Sequence, residues 1–166
     1  MKEPMGTRIV LGIRAVVLLL SMTVYGVSWG CLIADDVKAL SEKSMRDFEA
    51  KDFDSWIEAY TDDHVQVLPD GKIKSYKEFV RSAKSIMMQA EQMQLSMNMV
   101  SWSCNPEEGT AKAVFLSKGL FLLEVNGKKA IQKQEFRQES YLRKEDDVWL
   151  IYRTEVSDMN ASIRPV

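Results

Sequence analysis

Residues 52–71 read DFDSWIEAYTDDHVQVLPDG and contain a complete transition from helix to strand. The stretch opens with four apolar residues at helical spacing: Phe53, Trp56, Ile57 and Tyr60. This spacing predicts a short helix with one apolar face and with Asp52 as its N-cap. The pattern breaks at residues 61–63, and HVQVL then predicts a strand over 64–68. The sequence PDG at 69–71 predicts a turn that ends this strand.

Two longer helices are predicted on either side of this stretch. Asp35 and Asp36 are suited to cap a helix that runs to residue 50. Ser75, with Glu78 three residues later, forms a capping box that predicts the start of the other helix. The expected inward face of that helix carries five apolar residues: Phe79, Ala83, Ile86, Met87 and Ala90.

From residue 92 onward the apolar period changes to two, which predicts strands. Four strands are expected, over residues 93–104, 110–125, 131–144 and 148–157. The separators NPEEG, NGKK and KEDD carry turn residues, so consecutive strands should pair antiparallel. In the last strand we assign one face inward: Val148, Leu150, Tyr152, Thr154 and Val156. The opposite face is assigned outward: Trp149, Ile151, Arg153 and Glu155. The sequence therefore predicts an α+β domain.

The composition fits one globular domain and disfavours two kinds of site. The chain has 166 residues, of which 46% are hydrophobic and 28% are charged. Residues 1–34 hold three of the 22 basic and one of the 24 acidic residues, so the remainder carries a net charge of −4 and disfavours nucleic acid as a partner. His64 is the only histidine, and the two cysteines are Cys31 and Cys104. We therefore expect no metal site, no cofactor, no internal disulfide and no cysteine–histidine nucleophile.

The N-terminal segment has the order of an export signal. Its basic residues are Lys2, Arg8 and Arg14. They precede the apolar run AVVLLLSMTVYGV, and small and polar residues follow it. We therefore expect residues 1–34 to be a signal peptide or a membrane or lipid anchor, and the protein to be exported, periplasmic or extracellular.

Three fates of this segment remain open. It could be cleaved near Gly30 or Ala34, acquire a lipid at Cys31, or stay as a membrane span. Membrane contact is expected only through this segment, if it is retained or if Cys31 is lipidated. The domain itself is expected over residues 35–159, with 160–166 as a C-terminal tail.

Two motifs carry a resemblance to a known superfamily. They are WIEAYTDDHVQVLPDGKIKSYKEF, near the start of the domain, and YLRKEDDVWLIYRTEVS, near its end. Together with the order of elements over residues 37–159, they resemble the nuclear transport factor two-like superfamily, the cystatin-like α+β cone, and its SnoaL-like branch. The resemblance implies three N-terminal helices packed on a strongly curved antiparallel sheet around an internal cavity. Its members include ketosteroid isomerase, polyketide cyclases, dehydratases and epoxide hydrolases, while many others only bind or dimerise.

Comparison with ketosteroid isomerase mostly disfavours isomerase chemistry for this chain. The general base of that enzyme would precede Pro69, where this chain has Leu68, and its helical tyrosine falls near Ser44. Glu139 is the counterpart of its remaining acid, and a single acid cannot supply both the base and the oxyanion donor. The weak catalytic candidates are therefore Glu139, Tyr152 and His64.

Residues expected to line the cavity are mainly apolar or aromatic. The predicted ligand pocket comprises Trp56, Tyr60, Val67, Phe79, Met97, Met99, Phe115, Gln138, Tyr152, Thr154 and Val156. The first reading is a non-catalytic domain that binds a small apolar ligand or a protein partner. The alternative is a small lyase or isomerase of the SnoaL-like or ketosteroid isomerase type, with acid–base residues in the cavity.

A homodimer through the outer sheet face is also expected. One alternating set is assigned to a solvated or dimer-forming outer face with cross-strand ion pairs: Glu135, Arg137, Glu139, Tyr141 and Arg143. Trp149 and Ile151 are expected to add apolar area to that face, beside Arg153 and Glu155.

Overall fold

The computed structural model describes residues 34–125 and 127–166. Three helices come first: α1 (Ala34–Glu49), α2 (Phe53–Ile57) and α3 (Tyr76–Gln89). The strands are β1 (Tyr60–Val67), β2 (Ile73–Lys74), β3 (Ala90–Asn105), β4 (Thr110–Val125), β5 (Lys128–Glu145) and β6 (Val148–Pro165). Among the described residues no helix is both long and apolar enough to cross a membrane. The predicted signal segment and Cys31 lie outside the described residues.

All six strands belong to one curled sheet that does not close. Their order is β2-β1-β6-β5-β4-β3, so the four long strands form the predicted antiparallel meander. The short strand β2 pairs antiparallel with β1, and β1 pairs in parallel with β6. The predicted α+β class with N-terminal helices on a curved sheet is confirmed.

The stretch over residues 52–71 folds as predicted except at one boundary. The Asp52 side chain accepts a hydrogen bond from the Ser55 backbone N–H at 3.2 Å and caps α2. Strand β1 begins at Tyr60, four residues earlier than the sequence predicted. The pairing of β1 with β6 is irregular between Tyr60 and Val65, because the chain bulges there before regular pairing resumes.

Helix α3 has the predicted start and most of the predicted inward face. The Ser75 backbone N–H donates to the Glu78 carboxylate at 2.9 Å, as the capping box requires. Four of the five residues assigned inward are buried: Phe79, Ala83, Met87 and Ala90. Ile86 is 40% exposed, so its assignment is wrong. It lies at the edge of the apolar stripe, beyond the cover of the sheet.

A β-bulge in β6 exchanges the two faces of that strand. Tyr141 pairs with Arg153 but Leu142 pairs with Ile151, so Tyr152 is an extra residue. The inward assignment is consequently wrong before the bulge, where Val148 is 57% exposed and Ile151 is 4% exposed. It is correct after the bulge for the buried Thr154. One extra residue reverses every later side chain, because the side-chain period of a strand is two.

The last strand is also longer than predicted. It runs to Pro165, which pairs with Ala130, so residues 160–166 are largely strand and not a free tail. A second irregularity lies opposite residues 135–137, where Asp158 has a φ of 50°. This additional bend lets β6 follow the curl of the sheet.

Two apolar clusters cover the inner face of the sheet. In the first, Val37 of α1 packs on the middle strands with Phe115, Leu142 and Ile151. In the second, Trp56 packs with residues of α3 and of the start of β3, among them Phe79, Met87 and Met93. The helices therefore lie on the concave side, as predicted.

Cys104 differs from its expectation. It is disulfide-bonded. The prediction of no internal disulfide, which assumed that residues 1–34 leave the mature chain, is therefore wrong.

Trp56→Ala should lower the free energy of unfolding by about 3–5 kcal/mol, because it removes a buried indole from the second cluster. Urea denaturation of the variant measures this loss. Met88→Ala is the control, since Met88 is 78% exposed and its truncation should change stability by less than about 0.5 kcal/mol. Equal urea midpoints for the two variants would contradict the burial of Trp56 in the second cluster.

Candidate functional site

The inner face of the sheet keeps an incompletely covered strip. Cross-strand register places Met97, Ser117 and Phe136 side by side in one row. It places four more residues in the adjacent row: Met99, Phe115, Gln138 and Val156. Most of these side chains are half-buried, although they face the concave side. We call these seven residues the inner strip, and five of them keep part of their surface exposed.

A polar cluster adjoins the inner strip at β1 and β6. Thr154 lies opposite Ser140 on one side and Gln66 on the other. The Gln138 side-chain amide donates to Ser140 Oγ at 2.9 Å. His64 Nε2 lies 3.2 Å from Thr154 Oγ1, within hydrogen-bonding distance. These contacts link a histidine on β1 to the polar end of the inner strip.

Aromatic rings enclose His64 on its other side. The His64 ring lies 4.3 Å from the Phe79 ring and 5.0 Å from the Tyr60 ring, between centroids. Its side chain is fully buried. Burial lowers the pKa of His64 to about 4, and the negative charge of neighbouring Asp63 only partly opposes this. His64 is therefore neutral near pH 7.

The irregular start of β1 explains the inward direction of His64. Asp63, the preceding residue, points outward and forms a bidentate pair with Arg143, with N–O distances of 2.9 and 3.0 Å. That contact lowers the pKa of Asp63. Because the carboxylate is held outside, the histidine on the next residue lies inside without an acid beside it.

Three buried side-chain polar atoms have no hydrogen-bond partner among the described residues; one is Thr61 Oγ1, and the other two are near the inner strip and the polar cluster. These two are His64 Nδ1 and Ser117 Oγ. Buried polar groups of this kind are usually satisfied by water or by a ligand. The chemistry available here is hydrogen bonding by a neutral imidazole and a hydroxyl, within an otherwise apolar and aromatic surface.

Tyr60 sits between the histidine and the helices. Its ring lies 4.9 Å from both the Trp56 ring and the Phe79 ring. Burial raises the pKa of the Tyr60 hydroxyl, while hydrogen bonding with Ser44 acts in the opposite direction. The phenol therefore stays protonated and can donate a hydrogen bond.

Glu139 lies on the outer face of the sheet. Its carboxylate contacts Lys112 Nζ at 2.5 Å and Arg137 at 3.7 Å, and it accepts a hydrogen bond from the Tyr141 hydroxyl at 3.3 Å. The Lys112 contact lowers the pKa of Glu139. This acid is therefore stabilised in its charged form, away from the inner strip. The ion-paired outer face predicted for this strand is present.

Two of the predicted pocket residues lie away from the inner face. Tyr152, the extra residue of the bulge, contacts the ring of Tyr141 at 6.4 Å and the guanidinium of Arg143 at 5.6 Å. Val67 pairs with Glu155, which shares the outer face with Arg153. The bulges in β6 and β1 explain both corrections, since each changes which residues point inward.

The other predicted pocket residues lie on the concave side. Register places Met97, Met99, Phe115, Gln138, Thr154 and Val156 there. Trp56, Tyr60 and Phe79 form the aromatic wall beside His64. The sequence analysis missed Ser117, Ser140 and Gln66, although the two serines alternate in phase with Phe115 and Leu142. The available signal was a serine at a position where the strand alternation predicts a residue that points into the core.

A metal centre does not form within residues 34–125 and 127–166, where no group of three or more His, Cys, Asp or Glu side chains could hold an ion.

His64→Gln should flatten the pH dependence of stability between pH 6.5 and 4. The unfolded chain binds a proton at His64 near pH 6.5, whereas the folded chain does so only near pH 4. The contribution of neutral His64 to the free energy of unfolding is thus complete above pH 6.5. It is lost as the pH falls toward 4, by about 3 kcal/mol in total.

Urea denaturation across this pH range provides the measurement. Thr154→Val is the matched control, because it removes the partner of His64 Nε2 and keeps the titrating group. Thr154→Val should lower the free energy of unfolding and keep its dependence on pH. If the free energy of unfolding of His64→Gln still falls between pH 6.5 and 4, the pH dependence belongs to other groups.

Comparisons with known proteins agree with this architecture. A solved structure of a conserved protein from Planctomyces limnophilus DSM 3776 has a TM-score of 0.66 at 15% identity, covering 80% of this chain and 98% of that one. A ketosteroid isomerase-like protein from Erwinia carotovora atroseptica SCRI1043 has a TM-score of 0.63 at 16% identity, with coverages of 76% and 96%. Hexachlorocyclohexane dehydrochlorinase LinA-type3 from Novosphingobium barchaimii LL02 has a TM-score of 0.59 at 10% identity, with coverages of 78% and 87%.

These identities are low, so the structural likeness shows the fold alone. No curated protein matches the sequence. The sequence profile of the SnoaL-like domain, by contrast, matches residues 37–161, which is most of the chain. This protein therefore belongs to the SnoaL-like domain family of the nuclear transport factor two-like superfamily.

Proposed function

We propose that this domain binds a small, mainly apolar ligand along the inner strip and does not convert it. One observation carries the proposal. Among the described residues, no carboxylate is hydrogen-bonded to the buried His64, and Glu139 is paired on the opposite face of the sheet.

General acid–base chemistry requires a base whose pKa suits the working pH and a second group that stabilises the charge formed. A histidine with a pKa of about 4 is a weak base near neutral pH. Asp63, which could orient the imidazole by a hydrogen bond, is instead held by Arg143. The arrangement is therefore better suited to hydrogen bonding than to proton transfer.

The lining of the inner strip indicates the kind of ligand. Met97 and Met99 are half-buried and provide adaptable apolar surface. Ser117 Oγ and His64 Nδ1 are available for hydrogen bonds. An apolar molecule with one or two polar groups would satisfy both features.

A small lyase or isomerase is the second candidate. Its support is the same His64, whose Nδ1 is buried without a partner among the described residues and could contact a substrate directly. Two similar structures bear the names of an isomerase-like protein and a dehydrochlorinase. In that reading, His64 would accept or donate the proton and Tyr60 would supply a hydrogen bond.

A screen of apolar metabolites against thermal unfolding tests the binding proposal. A ligand at 100 times its dissociation constant should add about 2.7 kcal/mol to the stability of the folded domain. Met97→Trp should abolish this stabilisation by filling the inner strip. Ser103→Trp is the control, because Ser103 lies on the same strand, is exposed and faces the other side of the sheet, opposite Lys112.

Two results would contradict the proposal. Equal stabilisation of both tryptophan variants would place the ligand elsewhere. Turnover of the ligand, abolished by His64→Gln while the fold is retained, would establish the enzyme instead.

We further propose a homodimer through the outer sheet face, with different contact residues from those the sequence indicated. Trp149 and Ile151 pack in the core and supply no outer apolar area. Three other apolar residues are exposed on that side: Val100, Leu116 and Leu120. Leu116 lies between Asn98 and Arg137, so the apolar area has a polar rim of the kind found at interfaces.

Leu116→Glu should convert the dimer to monomer, because a symmetric interface would bury both copies of the new carboxylate. Sedimentation velocity of the two forms provides the measurement. Ile73→Glu, at an exposed apolar residue of β2, should leave the association unchanged. A monomeric wild-type protein, or a dimer unaffected by Leu116→Glu, would refute this interface.

A further inference from the structure

The outward face of α3 combines basic and apolar side chains. Seven residues line a shallow concavity there: Tyr76, Lys77, Val80, Arg81, Lys84, Ser85 and Met88. Lys77, Arg81 and Lys84 are exposed, and Met88, about one turn beyond Lys84, has 78% of its surface exposed. Helical spacing brings these four residues onto one side, since they recur at intervals of three or four. We call this surface the α3 face.

Charge is distributed unevenly between the α3 face and the rest of the chain. Residues 72–88 contain five basic side chains and one acidic side chain, whereas the whole chain has a net charge of −2. The acidic side chain, Glu78, is held by the backbone N–H and hydroxyl of Ser75 at the helix start. Asp70 pairs with Lys72 at 2.7 Å, outside the α3 face. The α3 face therefore presents positive charge on an otherwise acidic protein.

We propose that the α3 face docks on an anionic lipid surface. Lys77 and Arg81 contact the headgroups, and Met88 contacts the boundary between headgroups and acyl chains. Anionic surfaces attract basic side chains within a Debye length, which is about 8 Å at physiological ionic strength. The acidic remainder of the protein is repelled by the same surface, which orients the domain with α3 toward the lipid.

The shape of the α3 face favours lipid over an acidic protein segment. The concavity is open, and its basic groups are spread along two turns of helix that an exposed methionine follows. A peptide carboxylate would be better held by a bidentate arginine in a fitted pocket. Lys84 differs from the other two basic residues because its Nζ lies 4.1 Å from the centroid of the Phe53 ring. Lys77 and Arg81 are therefore the residues to change.

The test uses the full chain with vesicles of phosphatidylcholine alone and of phosphatidylcholine mixed with phosphatidylglycerol. Two measurements are made: the partition coefficient by co-sedimentation and hydrogen–deuterium exchange of residues 76–89. Anionic vesicles should protect residues 76–89, and neutral vesicles should not. This local readout separates α3 docking from any insertion of the N-terminal apolar run.

Lys77→Gln with Arg81→Gln should lower the partition coefficient on anionic vesicles by about 25-fold, since each basic side chain near the surface contributes about fivefold. It should also remove the protection of residues 76–89. The matched control is Lys128→Gln with Lys133→Gln, which removes two exposed lysines of β5 and should leave binding unchanged. Both double variants should unfold at the wild-type temperature, because all four residues are exposed.

Three outcomes would overturn the proposal. The first is equal protection of residues 76–89 by neutral and anionic vesicles. The second is an equal loss of binding in both double variants, which would indicate a response to net charge alone. The third is protection of residues 76–89 by polyglutamate but not by anionic vesicles, which would make the partner an acidic peptide.

Discussion

The packing of Trp56 joins the helical layer to the sheet. Its ring lies within 6 Å of four others, between centroids: Phe48 of α1, Phe53 of α2, Tyr60 of β1 and Phe79 of α3. Aromatic pairs at these separations add to the free energy of burial. Because one side chain contacts all three helices and β1, it fixes where β1 enters the sheet. The direction of His64, four residues after Tyr60, depends on that entry point.

The sequence predicted the elements of this fold better than the directions of its side chains. Capping residues such as Asp52 and Ser75 act locally, so their effect is visible in the sequence. The bulge at Tyr152 is different, because it arises where a long strand must bend with the rest of the sheet. Nothing in the alternation of VWLIYRTEVS marks the extra residue, yet it decides that Ile151 and Thr154 both point inward. The predicted inward directions therefore agree with the structure at Thr154, beyond the bulge, and differ at Tyr152.

Electrostatics divide the two faces of the sheet. Carboxylates such as Glu139 and Asp63 lie outside, where Lys112 and Arg143 lower their pKa values. Burial of a charge is costly unless it is paired, so the interior retains a histidine that gives up its proton instead. The same separation leaves the concave side with neutral polar groups, such as His64 and Thr154, and places the carboxylates of Glu139 and Asp63 outside.

The buried hydroxyls of the inner face differ in whether they form a hydrogen bond. Thr154 and Ser140 are satisfied by His64 and Gln138, which makes them part of a closed hydrogen-bonded group. Ser117 is buried too, but its hydroxyl has no partner among the described residues. Leaving a polar group in this state costs about 1–3 kcal/mol, which an apolar side chain at the same position would avoid. Ser117 lies in the row with Met97 and Phe136, at the part of the sheet that the helices leave half-covered. A molecule that enters there and hydrogen-bonds to Ser117 would recover this cost, and the inner strip is thereby better explained as a binding surface than as an extension of the core.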